Sequence, residues 1–200
     1  MKLLLASHNA HKARELARLL PASAGGERWQ LDLLGADVEL PPEVGETYAQ
    51  NAFGKARAAA AATGRTTIAD DSGIAAAALG GAPGVHSARY AGDHATDAEN
   101  LQKLLREAPD GSALEYVCAL AYVDPQGGEE VLFEGRCAGT LTARPRGERG
   151  FGYDPAFVPD EGPEGLTMAQ LSDEQKDAIS HRGRAARALL GWLDQRASAG

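Results

Sequence analysis

The sequence predicts an α/β fold built on a mixed sheet, and three observations predict it. Short apolar segments alternate with stretches whose apolar residues recur at helical spacing. Two signatures of helix starts, Thr96-Asp97-Ala98-Glu99 and Ser172-Asp173-Glu174-Gln175, carry the Ser/Thr-x-x-Glu/Gln pattern. Two strand-like segments, 114–123 and 130–142, are joined by Asp124-Pro125-Gln126-Gly127-Gly128 and read as a long hairpin, which inserts antiparallel pairing into an alternating order.

In chain order, Lys2 to Ala6 reads as a short buried strand. After the turn Ser7-His8-Asn9, a helix carries Ala13, Leu16, Ala17 and Leu20 on one face and ends at Pro21. Leu31 to Leu34 and Val38 to Leu40 read as short strands about a glycine-containing turn. Pro41-Pro42-Glu43-Val44-Gly45 is a loop, because proline suits neither a helix interior nor a central strand. A second helix begins near Thr47, with Ala49, Ala52, Phe53 and Ala56 as its buried stripe and an alanine run over 58–62. Thr66 to Ala69 is a strand leading into an acidic loop, Asp70-Asp71-Ser72-Gly73. The helix behind Thr96 packs through Leu101, Leu104 and Leu105, and the hairpin places Leu114, Tyr116, Cys118 and Leu120 on one face. A last helix from about Ser180 packs through Ala186, Leu189, Leu190 and Leu193. No repeat or low-complexity tract interrupts residues 1–200, which are expected to form one domain with an ample core.

Composition narrows the function. A net charge of -8 offers no basic face to a nucleic acid, so no nucleic-acid partner is expected. It leaves room for an anionic small molecule, because a local basic pocket and a divalent cation offset charge locally. Cys118 and Cys137 lack zinc spacing and are too few for a disulfide framework, so both are read as reduced core thiols. The apolar start ends by His8, short of the roughly 7–15 residues of a signal core, and no run approaches the ~20 apolar residues of a membrane span. The expected setting is cytoplasmic, with no membrane partner.

Chemistry collects in five places. Ser7-His8-Asn9-Ala10-His11-Lys12 lies between a strand and a helix, where unpaired amides and the helix dipole favour an anion; an ordinary helix cap would look the same. Glu43 sits in the proline loop, with Asn51 and Lys55 four apart on one face of the next helix, and matters only if another carboxylate lies nearby. Asp70-Asp71-Ser72-Gly73 sets two repelling carboxylates at a strand end, an arrangement a hard cation such as magnesium relieves; a local Asp/Gly turn is the plainer reading. Gly150-Phe151-Gly152-Tyr153-Asp154-Pro155 is a rigid loop whose aromatics suit stacking on a base or burial in a core. Lys176 and Ser180-His181-Arg182 open helices, and Arg182 offers a fork of donors to oxygen acceptors, though such charges are commonly solvated.

Together, in order, these motifs resemble the inosine triphosphate pyrophosphatase family, of the bacterial dITP/XTP pyrophosphatase type. Ser7 to Lys12 resembles [ST]-x-N-x-x-K. Ala69-Asp70-Asp71-Ser72-Gly73, with 78–85 and Ser87-Ala88-Arg89-Tyr90, resembles the longest block, and 150–155 and Ser180-His181-Arg182 the rest. The likeness runs from residue 3 to about 190. It implies an elongated mixed sheet flanked by helices, two lobes with a central cleft, and a homodimer. It implies hydrolysis of noncanonical purine nucleoside triphosphates (ITP, dITP, XTP) to monophosphate and pyrophosphate, with Mg2+ as cofactor. By position it implies Asp71 as general base and metal ligand, and Glu43 as the second metal carboxylate. Ser7, His8, Asn9, Ala10, His11 and Lys12 match the phosphate segment. Lys55, Ser72 and Lys176 match further substrate contacts, and Phe151, Gly152, Tyr153, Asp154, His181 and Arg182 match the part that holds the base. Ala77 stands where the family usually has an acid, and His86 where it usually has a tyrosine.

The chemistry expected of such a site is charge neutralisation by magnesium, Lys12 and Lys176, with Asp71 positioning and deprotonating the attacking water. Donors such as Arg182, His181 and backbone amides would satisfy a 6-oxo purine and be left unpaired by adenine. Two other readings stand beside this one: a phosphatase that releases orthophosphate, and a non-catalytic nucleotide-binding module.

Overall fold

The computed structural model describes residues 2–20, 29–35 and 37–199; Pro21, expected to end the first helix, lies outside them. The elements are β1 (Lys2–Leu5), α1 (Ala10–Leu19), β2 (Gln30–Leu33), α2 (Tyr48–Thr63), β3 (Thr67–Ala76), α3 (Asp97–Glu107), β4 (Ala113–Asp124), β5 (Glu129–Leu141), β6 (Phe157–Pro159), α4 (Asp173–Ile179) and α5 (His181–Ala199). Their strands form one six-stranded sheet in the order β2-β1-β3-β4-β5-β6. β1 runs parallel to β2 and to β3, whereas β5 and β6 are antiparallel, so the sheet is mixed as the sequence predicts.

Local chemistry explains the helix ends. Asn9 caps α1, accepting from the amides of His11 and Lys12. Thr47 and Gln50 form a capping box at α2, Thr96 and Glu99 at α3, and Ser172 and Gln175 at α4. Gly64 ends α2 at φ 66, a left-handed conformation that glycine adopts without a Cβ penalty.

The chain divides into two compact units. The first comprises Met1–Asp71, Cys118–Gly135 and Arg182–Gly200. Here strand alternation sorts the core into two clusters. Leu3, Leu5, Ile68, Leu120 and Tyr122 pack with Leu16, Leu19 and Leu20 at α1 and with Ala185, Ala186, Leu189 and Leu193 of α5. Leu4, Ala6, Ala69, Ala119 and Ala121 pack with Ala52, Ala56, Ala59 and Ala60 of α2. The second unit comprises Ser72–Val117 and Arg136–His181. Its core joins Ile74, Leu104, Leu114, Tyr116, Phe157, Met168 and Leu171. Among the described residues no helix is long and apolar enough to cross a membrane.

Several expectations are corrected. Val38–Leu40 is not a strand: the Val38 amide closes a turn on the Gly35 carbonyl at 3.2 Å, and Pro41 and Pro42 have no N–H to extend a ladder. Asp70-Asp71-Ser72-Gly73 is not a loop but the middle of β3. A strand tolerates the adjacent carboxylates because successive side chains leave on opposite faces. In α1, Leu19 is buried and Ala17 exposed; in α2 the buried stripe is Asn51, Ala52, Lys55, Ala56, Ala59 and Ala60, while Ala49 and Phe53 are half-buried. Cys118 and Cys137 are buried thiols outside any disulfide, as expected.

Candidate active site

Each unit gathers its own set of polar side chains. In the first, the parity of β3 decides who meets whom. Asp70 shares the parity of Ile68 and so belongs to the α1 and α5 face; Asp71 shares that of Ala69 and so belongs to the α2 face. Accordingly Asp70 Oδ2 accepts from Arg182 Nε at 3.2 Å and Nη2 at 3.0 Å, and lies 3.3 Å from Lys12 Nζ. Asp71 Oδ2 accepts from Asn51 Nδ2 of α2 at 2.9 Å. Lys55, one turn after Asn51, donates to the Asp70 carbonyl at 2.7 Å and to the Glu43 carboxylate. The four-residue spacing of Asn51 and Lys55 thus serves β3 and the proline loop together.

These neighbours set the protonation states. Burial alone would raise the Asp70 pKa, but Lys12, Arg182 and Lys55 hold it well below the ordinary carboxylate range. Burial also pushes Glu43 up, and Lys55 more than reverses it, leaving Glu43 lowered. Lys55 is raised: burial works against its charge, and Asp70 and Glu43 outweigh it. Asp71 is raised, chiefly by burial, with Lys12 pulling it down and Glu43 pushing it up. Burial and charge thus separate two neighbouring carboxylates: Asp70 is held as an anion among the cations, and Asp71 is shifted towards binding a proton.

The Ser7–Lys12 segment stands half-buried to exposed at the start of α1. Its amides are less available to an anion than the sequence suggests. Asn9 Oδ1 accepts from the amides of His11 at 2.9 Å and Lys12 at 3.1 Å, and Ser7 Oγ accepts from the amide of Asn9 at 3.2 Å. Three of the amides in this turn are thus already paired within it. His8 Nε2 lies 3.2 Å from the Val38 carbonyl, and His11 Nδ1 lies 2.9 Å from Arg14 Nη2.

In the second unit, Asp154 organises the loop 150–155. Its Oδ2 accepts from the Phe151 amide at 3.0 Å and from Lys176 Nζ at 2.5 Å, and its Oδ1 from Tyr116 Oη at 3.0 Å. Gly150, at φ 72, is required there: a Cβ would lie 2.0 Å from Asp154 Oδ2. Tyr153 is buried and donates from Oη to the Ser87 carbonyl at 2.7 Å. Phe151 is half-buried, with Lys176 Nζ 5.2 Å from its ring centroid, and Gly152 is half-buried beside it. The His181 ring stacks on Tyr116 with centroids 4.6 Å apart and planes 6° from parallel. Ser72 is half-buried.

Three of the predicted contact residues are engaged within the protein itself. Arg182, expected among the donors to a base, is 1% exposed, and its guanidinium is engaged by Asp70 and Glu15. Asp154 turns both oxygens inward to shape its own loop, and Lys176 is paired with it. Ala77 and His86, the two departures from the resembled pattern, are both exposed. Sequence reasoning missed Glu15, which is buried on α1 and accepts from Arg182 Nη1. The signal was its spacing from Lys12: three residues along a helix share a side, so Lys12 and Glu15 reach one cluster. Tyr116, read only as core, also holds Asp154.

Comparison with known proteins shows the family. The Ham1 family model matches residues 3–192. A protein of Corynebacterium glutamicum (strain R) named dITP/XTP pyrophosphatase is 50% identical over the full length of both chains. Another of that name from Mycolicibacterium paratuberculosis is 48% identical over 98% of each. A solved structure of a HAM1 protein from Coxiella burnetii superposes with a TM-score of 0.85 at 37% identity, covering 98% of this chain and 99% of that one. A match across nearly the whole chain in sequence and in fold has one meaning: the chain belongs to the Ham1 family.

Proposed function

We propose that this chain hydrolyses noncanonical purine nucleoside triphosphates, ITP, dITP and XTP, to the monophosphate and pyrophosphate. The observation that carries the reading is Asp71: a largely buried carboxylate bonded by Asn51, with Lys12, Lys55 and Glu43 acting on it electrostatically, in a chain half identical to a dITP/XTP pyrophosphatase. A polyanion needs cations, and an attacking water needs a proton acceptor.

Asp71 takes the proton of the water that attacks the α-phosphorus. The new bond forms from that oxygen, the bond from the α-phosphorus to the bridging oxygen breaks, and pyrophosphate departs. Lys12 and Lys55 neutralise charge on the phosphate chain, with Ser7, His8 and Asn9 beside it, and we assign Ser72 and Lys176 to substrate contact as well. Phe151, Gly152, Tyr153 and His181 are assigned to the base. Asp154 acts by shaping that loop and Arg182 by holding Asp70, so we propose both as supports of the site.

The donor set fits magnesium. Glu43 and Asp71 are oxygen donors whose charges repel one another, which a hard cation relieves. Among the described residues no group of three or more His, Cys, Asp or Glu forms a metal cage. Magnesium is commonly held by one or two carboxylates together with substrate phosphates, so a pair suffices. When bound there it would supply charge neutralisation at the phosphates and acidify the attacking water. We further propose a cytoplasmic homodimer, on the family resemblance alone.

The test is a triphosphate panel with magnesium, reading pyrophosphate and orthophosphate separately. Pyrophosphate from ITP, dITP and XTP, far ahead of ATP and GTP, is expected. Orthophosphate as the product would mark a phosphatase, and no turnover with excess enzyme would mark a binding module.

A further inference from the structure

The side chain of Asn51 does two things at once inside the first unit. Its Nδ2 donates to Asp71 Oδ2 at 2.9 Å, and its Oδ1 accepts from the Gly45 amide at 2.8 Å. The two partners fix the amide's orientation, because a carboxylate only accepts and a backbone N–H only donates. Asn51 is 5% exposed, so neither bond is readily exchanged for water. Gly45 stands two residues after Glu43. A Cβ on Gly45 would fall 2.7 Å from Asn51 Oδ1 and 2.8 Å from Gln50 Cβ, so only glycine lets the loop close onto α2 here. The capping box of Thr47 and Gln50 pins the same corner: Gln50 Oε1 accepts from the amides of Glu46 at 2.7 Å and Thr47 at 3.2 Å. Lys55 ties Glu43 itself to the same helix.

We infer that Asn51 is a positioning residue, and that the relay Gly45–Asn51–Asp71 presets the separation of the Glu43 and Asp71 carboxylates. The loop that carries Glu43 has no ladder and no helix of its own between Leu40 and Glu46. Its registration on β3 comes from side chains of α2. Asn51 touches both the loop backbone and Asp71, so moving it moves one carboxylate relative to the other. Groups one step behind a metal or catalytic carboxylate typically change affinity or activity by about 10–100-fold when removed. A misplacement of about 1 Å is enough for a loss of that order.

The assignment rests on the proposed role of Glu43 and Asp71, and the test separates the two. Three variants are compared with the wild type: Asn51→Ala, Asn51→Asp, which keeps an acceptor for Gly45 but loses the donor to Asp71, and Gly45→Ala, which leaves Asn51 in place and crowds it. Readouts are kcat and KM for ITP at saturating magnesium, magnesium binding without nucleotide by calorimetry, and amide hydrogen exchange at Gly45. Expected are kcat losses of about 10–100-fold with KM within about 3-fold, magnesium affinity weakened by about 10-fold or more, and a Gly45 amide protected in the wild type and released in Asn51→Ala. A variant that folds and keeps kcat and magnesium affinity within about 3-fold of wild type overturns the positioning role. If Asn51→Ala does not fold, Asn51→Asp and Gly45→Ala decide by the same criterion. If the wild type neither binds magnesium nor hydrolyses ITP, the proposed function has failed; a Gly45 amide that is unprotected in the wild type overturns the relay itself.

Discussion

Arg182 grips Asp70 through two nitrogens, Nε at 3.2 Å and Nη2 at 3.0 Å from a single oxygen, Oδ2, while Nη1 donates to Glu15. All three groups are buried. Removing one member of such a cluster leaves charges uncompensated, which costs about 3–5 kcal/mol. Arg182→Ala should therefore lower unfolding free energy by that order in urea denaturation. An unchanged midpoint with a raised KM for ITP would return Arg182 to the role of base donor.

Acid should expose the other side of that contact. The Asp70 pKa is depressed in the folded chain, because Lys12, Arg182 and Lys55 overcome the effect of burial. Its unfolded value is about 3.9. The unfolded chain thus takes up the proton first. The stabilisation is full above about pH 4 and drains away as pH falls below it towards the folded value. Asp70→Asn should flatten that acid limb in a plot of Tm against pH, recorded without magnesium or nucleotide, and lower Tm at neutral pH.

Asp71→Asn should behave differently. The new amide has an oxygen that still accepts from Asn51, so folding should be nearly unchanged while the proton acceptor is gone. A loss of ~10²–10⁴-fold in kcat is expected at saturating magnesium. Near-normal turnover would remove Asp71 from the proton transfer.

In the second unit, Asp154 and Lys176 form a buried pair at 2.5 Å. Asp154→Asn or Lys176→Met alone leaves an unbalanced charge, and each should destabilise the fold. The double variant should be more stable than the sum of the singles predicts, by roughly 0.5–3 kcal/mol in a double-mutant cycle. Strict additivity would mean that the pair is not coupled.

Burial pushes the Cys118 thiol up to about 12, with Asp70 adding to the effect, and Cys137 is buried too. Thiolate is the reactive form, so neither cysteine should react with a disulfide reagent at pH 8 in the folded chain. Both should react on unfolding in guanidinium. Rapid labelling of native protein would contradict the burial.

The periodic parts of the fold were legible because each rests on local chemistry. Thr96 with Glu99 and Ser172 with Gln175 are capping boxes wherever they occur, and the hairpin declares itself through 124–128. What escaped was set by distant partners. Asp70 and Asp71 read as a loop because two adjacent acids repel, whereas a strand sends them to opposite faces, where Lys12, Lys55, Arg182 and Asn51, brought from three helices, meet them. Glu15 escapes a reading of the sequence because its cation lies 167 residues away along the chain. Val38 to Leu40 is apolar enough for a strand, but the prolines after it deny the ladder its donors. The motif residues could be named from sequence; which of them face outward and which brace their neighbours needed coordinates.

Helix α2 lies on the sheet through the smallest side chains available, Ala52, Ala56, Ala59 and Ala60 against Ala69, Ala119 and Ala121. That thin seam is what lets a side chain as short as asparagine span from helix to strand. It also makes the seam a hidden spacer for the chemistry. Enlarging a single alanine there, Ala56 to leucine for instance, would jack the helix away from β3 and carry Asn51 and Lys55 with it. A methyl-for-isobutyl exchange with no polar atom would then present as a catalytic defect.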